Sequence, residues 1–136
     1  MSGGVWPTDD IPDDDIVFRR VHRQWRSRKT PSGISAAAFV GTRNGGLYEL
    51  STDWSKYSNA QEARDRAQDP AVNGVAAFVV GNVRQIPGQK VVHNPIQGVP
   101  GEVDNQAHSL VVANNHEDPE IQRLFQRIVT LPIPLP

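Results

Sequence analysis

Residues 74–80, Gly-Val-Ala-Ala-Phe-Val-Val, form a nearly continuous apolar run near the middle of the chain. Such a run without polar alternation is typical of a strand that is covered on both faces. The whole chain has sixteen valines and eight isoleucines against only six leucines. Because β-branched side chains favour strands, we predict a sheet built around residues 74–80 rather than a helical bundle.

Five further segments have the short apolar or alternating pattern of a strand: 16–21, 34–40, 47–51, 90–93 and 107–113. The alanine-rich segment 34–40 is expected to be a strand because it is short and lies between Gly33 and Gly41. The pair Asn44-Gly45 between two strand segments is typical of a hairpin turn.

Two helices are predicted. Residues 58–68 begin with Ser58 and Gln61, which fit a capping box. The second helix begins at Asp118-Pro119, a good N-cap followed by a good first helical residue. Its apolar side chains recur at helical spacing, at Ile121, Leu124, Phe125 and Ile128. The expected fold is therefore α+β, with a mixed or antiparallel sheet of five or six short strands, two main helices and a single turn at 82–86.

A chain of 136 residues makes one domain, which we place at 16–130. Residues 1–15 carry five aspartates and no basic residue, and are expected to form an acidic extended arm. Residues 131–136, Leu-Pro-Ile-Pro-Leu-Pro, are expected to form an apolar, proline-rich tail that packs on its own domain or on a partner.

Several function classes are excluded by composition. The chain has no cysteine, which removes disulfides, thiolate zinc sites and a cysteine nucleophile. The net charge is −1, and no apolar run approaches the roughly 18 residues needed to span a bilayer. The N-terminus lacks a signal-peptide pattern, so we expect a cytoplasmic protein without a membrane partner. No phosphate-binding loop or nucleophile-elbow motif is present.

A basic segment follows the arm and contains one tryptophan: Arg19, Arg20, Arg23, Trp25, Arg26, Arg28 and Lys29. Arginine and tryptophan are common anchors of protein interfaces, which favours a protein partner. Basic residues beside an aromatic ring also occur in nucleic-acid-binding surfaces, although the rest of the chain has no basic excess. The third interpretation is that the acidic arm folds back over this segment as exposed ion pairs.

Alternation in strand 16–21 places both Arg19 and Arg20 beside apolar side chains. A buried guanidinium stays charged and needs a carboxylate or a phosphate. The carboxylate would be Glu49 or Asp53. In the alternative, Arg20 with Ser35 and Glu49 resembles the ADP-ribosyltransferase-like folds, in which an early arginine or histidine and a serine on the second strand hold NAD. The paired-glutamate pattern of the arginine-modifying members is missing.

The four histidines lack the spacing of a helical metal pair. A triad of His93, His108 and Asp104 remains open, but no metal site is predicted. His108 stands at the start of a strand directly after the longest loop, where side chains often border a pocket. Since the pKa of histidine lies near neutrality, His108 or Glu49 is the candidate acid or base of an enzyme.

Several short stretches resemble a family of small bacterial proteins to which we attach no activity. The matching stretches are 11–15, 18–22, 35–39, 50–53, 74–76, 93–95 and 107–108. The resemblance implies a bacterial origin. Compared with the usual spacing in that family, stretches 93–95 and 107–108 lie further apart here because of residues 97–106.

The sequence thus favours an accessory or interaction module that acts through a protein partner or as a homo-oligomer, with segment 19–29 and the tail as contact surfaces and no cofactor. The first alternative is a small enzyme acting on a nucleotide or NAD-like substrate. The second is a nucleic-acid-binding module that uses segment 19–29.

Overall fold

The computed structural model describes residues 5–136, and its centre is one antiparallel sheet of seven strands. The strands are β1 (Ile16–His22), β2 (Thr42–Asn44), β3 (Leu47–Trp54), β4 (Asn73–Val79), β5 (Lys90–His93), β6 (His108–Ala113) and β7 (Thr130–Ile133). Their order is β5-β6-β3-β1-β4-β7, and β2 pairs with the beginning of β3. The α+β class is confirmed, whereas the count is seven strands rather than five or six.

The helices are α1 (Ala60–Asp65), α2 (Val80–Gln85) and α3 (Pro119–Ile128). Helix α3 begins as predicted, because Asp118 Oδ1 accepts a hydrogen bond from the Glu120 amide at 2.9 Å. Helix α1 is shorter than predicted, and its cap is Asn59 rather than Ser58. Its apolar side consists of small alanines, so packing does little to extend it. No helix within residues 5–136 is both long and apolar enough to cross a bilayer.

The predicted strand at 34–40 is wrong, because Ala36–Phe39 form a 3₁₀ helix. The neighbouring backbone groups already have partners outside the sheet. The Ser35 amide donates to the Trp25 carbonyl at 2.7 Å, and the Ile34 carbonyl accepts from Gln126 on α3. Three small alanine side chains allow this tight turn, which buries Phe39 against α3.

The sheet has two different faces. The inner face carries Val17, Leu50 and Val111 and is part of the hydrophobic core. Three phenylalanine rings pack together in that core, where Phe125 lies 5.7 Å from both Phe39 and Phe78 between ring centres. The outer face carries Arg20, Ser51 and His108, by the alternation of β1, β3 and β6. On this face helix α1 packs mainly against β1 and β4.

The C-terminal tail packs on its own domain. Residues 130–133 are the edge strand β7, which pairs with β4, and Leu131 and Leu135 pack against the core. Gly74 on β4 makes this possible, since a Cβ there would lie 2.6 Å from the Ile133 carbonyl oxygen. Pro132 in β7 has no amide hydrogen to donate, and prolines within sheets are commonly found on edge strands such as this one.

The N-terminal arm also packs on the domain, through the buried side chain of Ile11. Asp13 pairs with Arg84 at 2.6 Å, and Asp9 lies 3.5 Å from Lys56 Nζ. The expectation that the arm folds over the basic segment is therefore wrong. Its described ion pairs are made with cations on α2 and after β3.

His116 is fully buried beside α3, and both ring nitrogens have partners. Nδ1 accepts from the Gly41 amide at 3.2 Å, so Nε2 carries the proton and donates to Gln89 Oε1 at 2.9 Å. Burial and the charge of Arg19 lower the pKa of His116 to about 4. The folded protein therefore holds this ring neutral.

This burial predicts an acid-sensitive fold. Between pH 6.5 and pH 4 the unfolded chain binds a proton at His116 that the folded chain does not, so stability falls as the pH falls. The stability that comes from the neutral His116 ring is present in full above pH 6.5. By pH 4 the free energy of unfolding has fallen by about 3 kcal/mol. Urea unfolding at pH 7.5 and pH 4 measures it. The variant His116→Gln should lose less stability over this interval than the wild type, and equal losses would contradict the prediction.

Candidate functional site

A cleft of about 530 Å³ lies on the outer face of the sheet, between α1 and the loop that joins β5 to β6. Its size falls within the range of small-molecule sites. The strands contribute Arg20, Ser51 and His108, α1 and its end contribute Asp65 and Arg66, and the loop contributes Ile96 and residues 102–105. Segments far apart in the sequence thus meet where the sheet is left uncovered.

The buried carboxylate of Asp53 contacts three of the residues that border this cleft. Its side chain is 1% exposed, and both carboxylate oxygens have partners. Oδ1 accepts from Asn105 Nδ2 at 2.8 Å, while Oδ2 lies 3.2 Å from Arg20 Nη1 and 3.7 Å from Arg66 Nη1. A single buried carboxylate therefore holds a strand arginine, a helix arginine and a loop amide in one place.

The two arginines keep part of their hydrogen-bonding capacity. Arg20 Nη1 also donates to the Ala63 carbonyl at 3.0 Å, and Arg66 Nη1 donates to Ser58 Oγ at 3.2 Å. Within the described chain, the other guanidinium nitrogens of both residues have no protein partner. Their side chains are 30% and 33% exposed. Each arginine can therefore donate to an anion in the cleft without leaving Asp53.

His108 and Ser51 form a side-chain pair in the wall of the cleft. His108 Nδ1 lies 2.8 Å from the Asn94 carbonyl oxygen, which only accepts, so the neutral ring carries its proton on Nδ1. Nε2 then has a free lone pair, 3.4 Å from Ser51 Oγ. Since Ser51 is exposed, the pair can be reached from the cleft.

The rim of the cleft is acidic and partly apolar. Asp65, Glu102 and Asp104 border it, and Asp104 Oδ1 already accepts from the Gly98 amide at 2.9 Å. Val103 is 87% exposed on the loop, close to the partly buried Ile96. The rim thus offers acceptors for hydroxyl or amino groups and an apolar contact beside them.

Two shallower hollows adjoin the cleft. Arg20 also borders the first, together with His22 and Arg23, and Ser51 and His108 also border the second, together with Glu49. The cleft residues Arg20 and His108 therefore lie near the middle of a longer groove across the outer face.

The predicted enzyme residues are only partly brought together. Arg20 and His108 share the cleft, while Glu49 lies in the adjoining hollow and accepts from Asn44 Nδ2 at 3.1 Å. Ser35 borders none of these cavities and precedes the 3₁₀ helix. The expectation that an arginine on β1 pairs with Glu49 or Asp53 is confirmed for Arg20, which pairs with Asp53 and is 30% exposed. It is not confirmed for Arg19, which donates to the carbonyls of Ala38 and Ser51 instead.

The basic segment does not form one uniform surface. Arg19 donates to the carbonyls of Ala38 and Ser51, and burial together with the charge of Arg20 lowers its pKa to about 10. Trp25 packs against the core. Four cations of the segment remain exposed: Arg23, Arg26, Arg28 and Lys29.

His93 and His108 do not share a site. β5 pairs with β6 so that His93 lies opposite Ser109, which places the two histidines on different faces of the sheet. His93 instead connects the arm to the loop. Its Nδ1 accepts from the Asp9 amide at 3.0 Å, and Nε2 donates to the Gln106 carbonyl at 2.7 Å. Among residues 5–136 there is no group of three or more acidic or histidine side chains placed to hold a metal ion.

Three residues of the site were not singled out from the sequence: Ser51, Arg66 and Asn105. Ser51 precedes Asp53 by two residues on β3, so strand alternation was a signal that both share the face of Arg20. No sequence pattern indicated a role for Arg66 or Asn105. Arg66 follows a polar helix, and Asn105 lies in a long loop. Four stretches that carry the resemblance to the bacterial family, 18–22, 50–53, 93–95 and 107–108, each contribute a residue to this region.

Comparison with known proteins identifies no relative. No protein-family model matches the chain, and neither the curated proteins nor the solved structures contain a match.

Proposed function

We propose that the cleft between α1 and the loop 94–105 binds a small phosphate-bearing molecule of the nucleotide class, with NAD as one candidate. The observation that carries the proposal is the buried carboxylate of Asp53, which holds Arg20 and Arg66 side by side with donors to spare. Arginine held in this way is suited to phosphate, because the planar guanidinium presents its donors in fixed directions.

The rim favours a nucleotide over inorganic phosphate alone. Asp65 and Glu102 can accept hydrogen bonds from ribose hydroxyls or from an exocyclic amine. Ile96 and Val103 supply apolar surface for a base or a nicotinamide ring. The three rim carboxylates would repel a ligand that carried negative charge throughout, which supports a ligand with one anionic part and one neutral, hydroxyl-rich part.

The same arrangement supports an enzymatic role. His108 has its tautomer set by the Asn94 carbonyl and presents Nε2 toward the cleft. An imidazole held in this way is suited to act as a general acid or base. As part of this proposal we place the protein in the cytoplasm, where nucleotides are available.

The partner-binding hypothesis stays a prediction. However, the two contact surfaces expected for it, the tail and the segment that contains Trp25, also pack against the protein's own core. The tail forms β7 and packs Leu131 and Leu135 on the protein's own core, and Trp25 packs there too. The nucleic-acid hypothesis also stays a prediction, based on the exposed cations Arg23, Arg26, Arg28 and Lys29. Binding to nucleic acid would weaken steeply with salt.

Titration with ADP and NAD, followed by calorimetry and by thermal unfolding, tests the proposed function. A ligand at a hundred times its Kd should raise the free energy of unfolding by about 2.7 kcal/mol. Arg66→Ala should weaken binding by roughly tenfold to a hundredfold, because a hydrogen bond to a charged group contributes about 1.5–3 kcal/mol.

The matched control is Arg64→Ala in the same helix. Arg64 donates to the Asn73 carbonyl and does not border the cleft, so this variant should keep wild-type affinity. Equal losses in the two variants, or no thermal shift with any phosphate-bearing ligand, would contradict the proposal.

A further inference from the structure

The geometry points to a second property of the cleft: we propose that Ser51 is a nucleophile that His108 activates for attack on a phosphorus atom. This inference rests on the proposed function in one respect, namely that the ligand brings a phosphorus atom into the cleft. The local sequence does not mark Ser51 for this role, because Ser51 lies in the middle of β3 without any motif around it.

The relation between the two side chains is set by the sheet. In the β3–β6 register Ser51 lies opposite Leu110 and Asp53 lies opposite His108. Ser51 and His108 are thus diagonal neighbours on the outer face, which brings Ser51 Oγ to 3.4 Å from Nε2. Both residues are carried by regular strands, which hold a site more rigidly than loops do.

The Asn94 carbonyl supplies the third member of the arrangement. It accepts from Nδ1 at 2.8 Å, fixes the plane of the ring and leaves Nε2 unprotonated in the neutral state. Ser51, His108 and the Asn94 carbonyl thus correspond to the nucleophile, the base and the group that orients the base in enzymes with an activated nucleophile. The distance of 3.4 Å is long for a hydrogen bond, and such contacts often shorten when substrate is bound.

The electrostatic partners of the reaction lie in the same cleft. Arg20 and Arg66 border it and would stabilise the charge on the phosphoryl oxygens during transfer. Asp53 keeps both guanidinium groups in position before the ligand arrives. The site therefore combines a nucleophile, a base and two cations within one cavity of about 530 Å³.

The reaction is hydrolysis of a phosphate ester in two steps. Ser51 Oγ forms a bond to phosphorus while the bond from phosphorus to the leaving oxygen breaks, and the Oγ proton passes through Nε2 to that oxygen. The oxygen of a water molecule then forms a bond to phosphorus while the bond from phosphorus to Oγ breaks, and the water gives a proton to Nε2. Phosphate leaves, and Oγ recovers the proton from His108.

A fluorophosphonate probe tests the nucleophile without knowledge of the substrate. Oγ forms a bond to phosphorus, the phosphorus–fluorine bond breaks, fluoride leaves, and the Oγ proton passes to Nε2. Peptide mapping by mass spectrometry should place the label on Ser51. Ser51→Ala should abolish it, and Ser32→Ala, a change in a distant turn, should leave it unchanged.

His108→Asn tests the base. The asparagine amide can still donate to the Asn94 carbonyl, but it offers no basic nitrogen to Ser51. We expect labelling of Ser51 to become about a hundredfold slower. Added imidazole should restore part of the labelling rate in this variant, which it would not do if His108 had a purely structural role.

ADP binding, measured on the same samples, separates the two proposals. An unlabelled Ser51 in a protein that binds ADP overturns the nucleophile and leaves the proposed function standing. Labelling of Ser51 that does not depend on His108 overturns the dyad. Labelling that depends on His108 in a protein that binds no phosphate-bearing ligand supports the dyad and overturns the proposed function.

Discussion

Replacing Asp53 with alanine is expected to lower the free energy of unfolding by about 3 kcal/mol, which is the lower end of the range for removing one partner of a buried ion pair. The carboxylate is 1% exposed and accepts from Asn105 while it pairs with Arg20 and Arg66. Its removal leaves two positive charges close together and one buried amide without its acceptor. The two guanidinium groups are about one-third exposed, so water reduces the loss.

Urea unfolding at pH 7.5 measures this loss, with Asp65→Ala as the matched control. Asp65 borders the same cleft, is exposed and pairs only with Gln61 at 2.9 Å among the described residues. Its replacement should change the free energy of unfolding by less than about 0.5 kcal/mol. Equal effects of the two substitutions would show that Asp53 does not organise the cleft.

Replacing Phe125 with alanine is expected to cost about 4 kcal/mol of stability, since a large buried aromatic ring is replaced by a cavity. Phe125 is fully buried on α3 and contacts three rings. Its ring centre lies 5.7 Å from Phe39, 5.7 Å from Phe78 and 6.1 Å from His116. The loss therefore combines apolar burial with three ring contacts.

The control for this substitution is Leu124→Ala, at the preceding position of the same helix. Leu124 is only partly buried against the core, so its loss should be less than half that of Phe125. Unfolding in urea measures both variants. A smaller effect at Phe125 than at Leu124 would contradict the placement of Phe125 at the centre of the aromatic cluster in the core.

The elements that were predicted correctly are those with a strong local signal. Helix α3 has a capping aspartate, a proline and an apolar stripe, and residues 74–80 have an unbroken apolar run. The segment 34–40 was predicted wrongly, because an alanine-rich stretch has no clear period. Its conformation depends on contacts with Trp25 and with Gln126 on α3, which are distant in the sequence.

The site was predicted in part for a similar reason. A charged arginine on an apolar strand requires a partner, and this argument led to Arg20 and to Asp53. His108 was found from its place at the end of a loop. The pairing of Ser51 with His108 depends on the register of β3 against β6, and Arg66 enters the site only because α1 packs over β1. Neither relation can be derived from local sequence.

A two-dimensional amide NMR titration of the full chain with ADP tests directly whether the cleft binds a nucleotide. The largest chemical-shift changes are expected on the amides of Ser51, Arg66, Asn105 and His108, which border the cleft. Changes concentrated at the exposed cations of segment 23–29, or no changes at millimolar ADP, would show that this cleft does not bind the nucleotide.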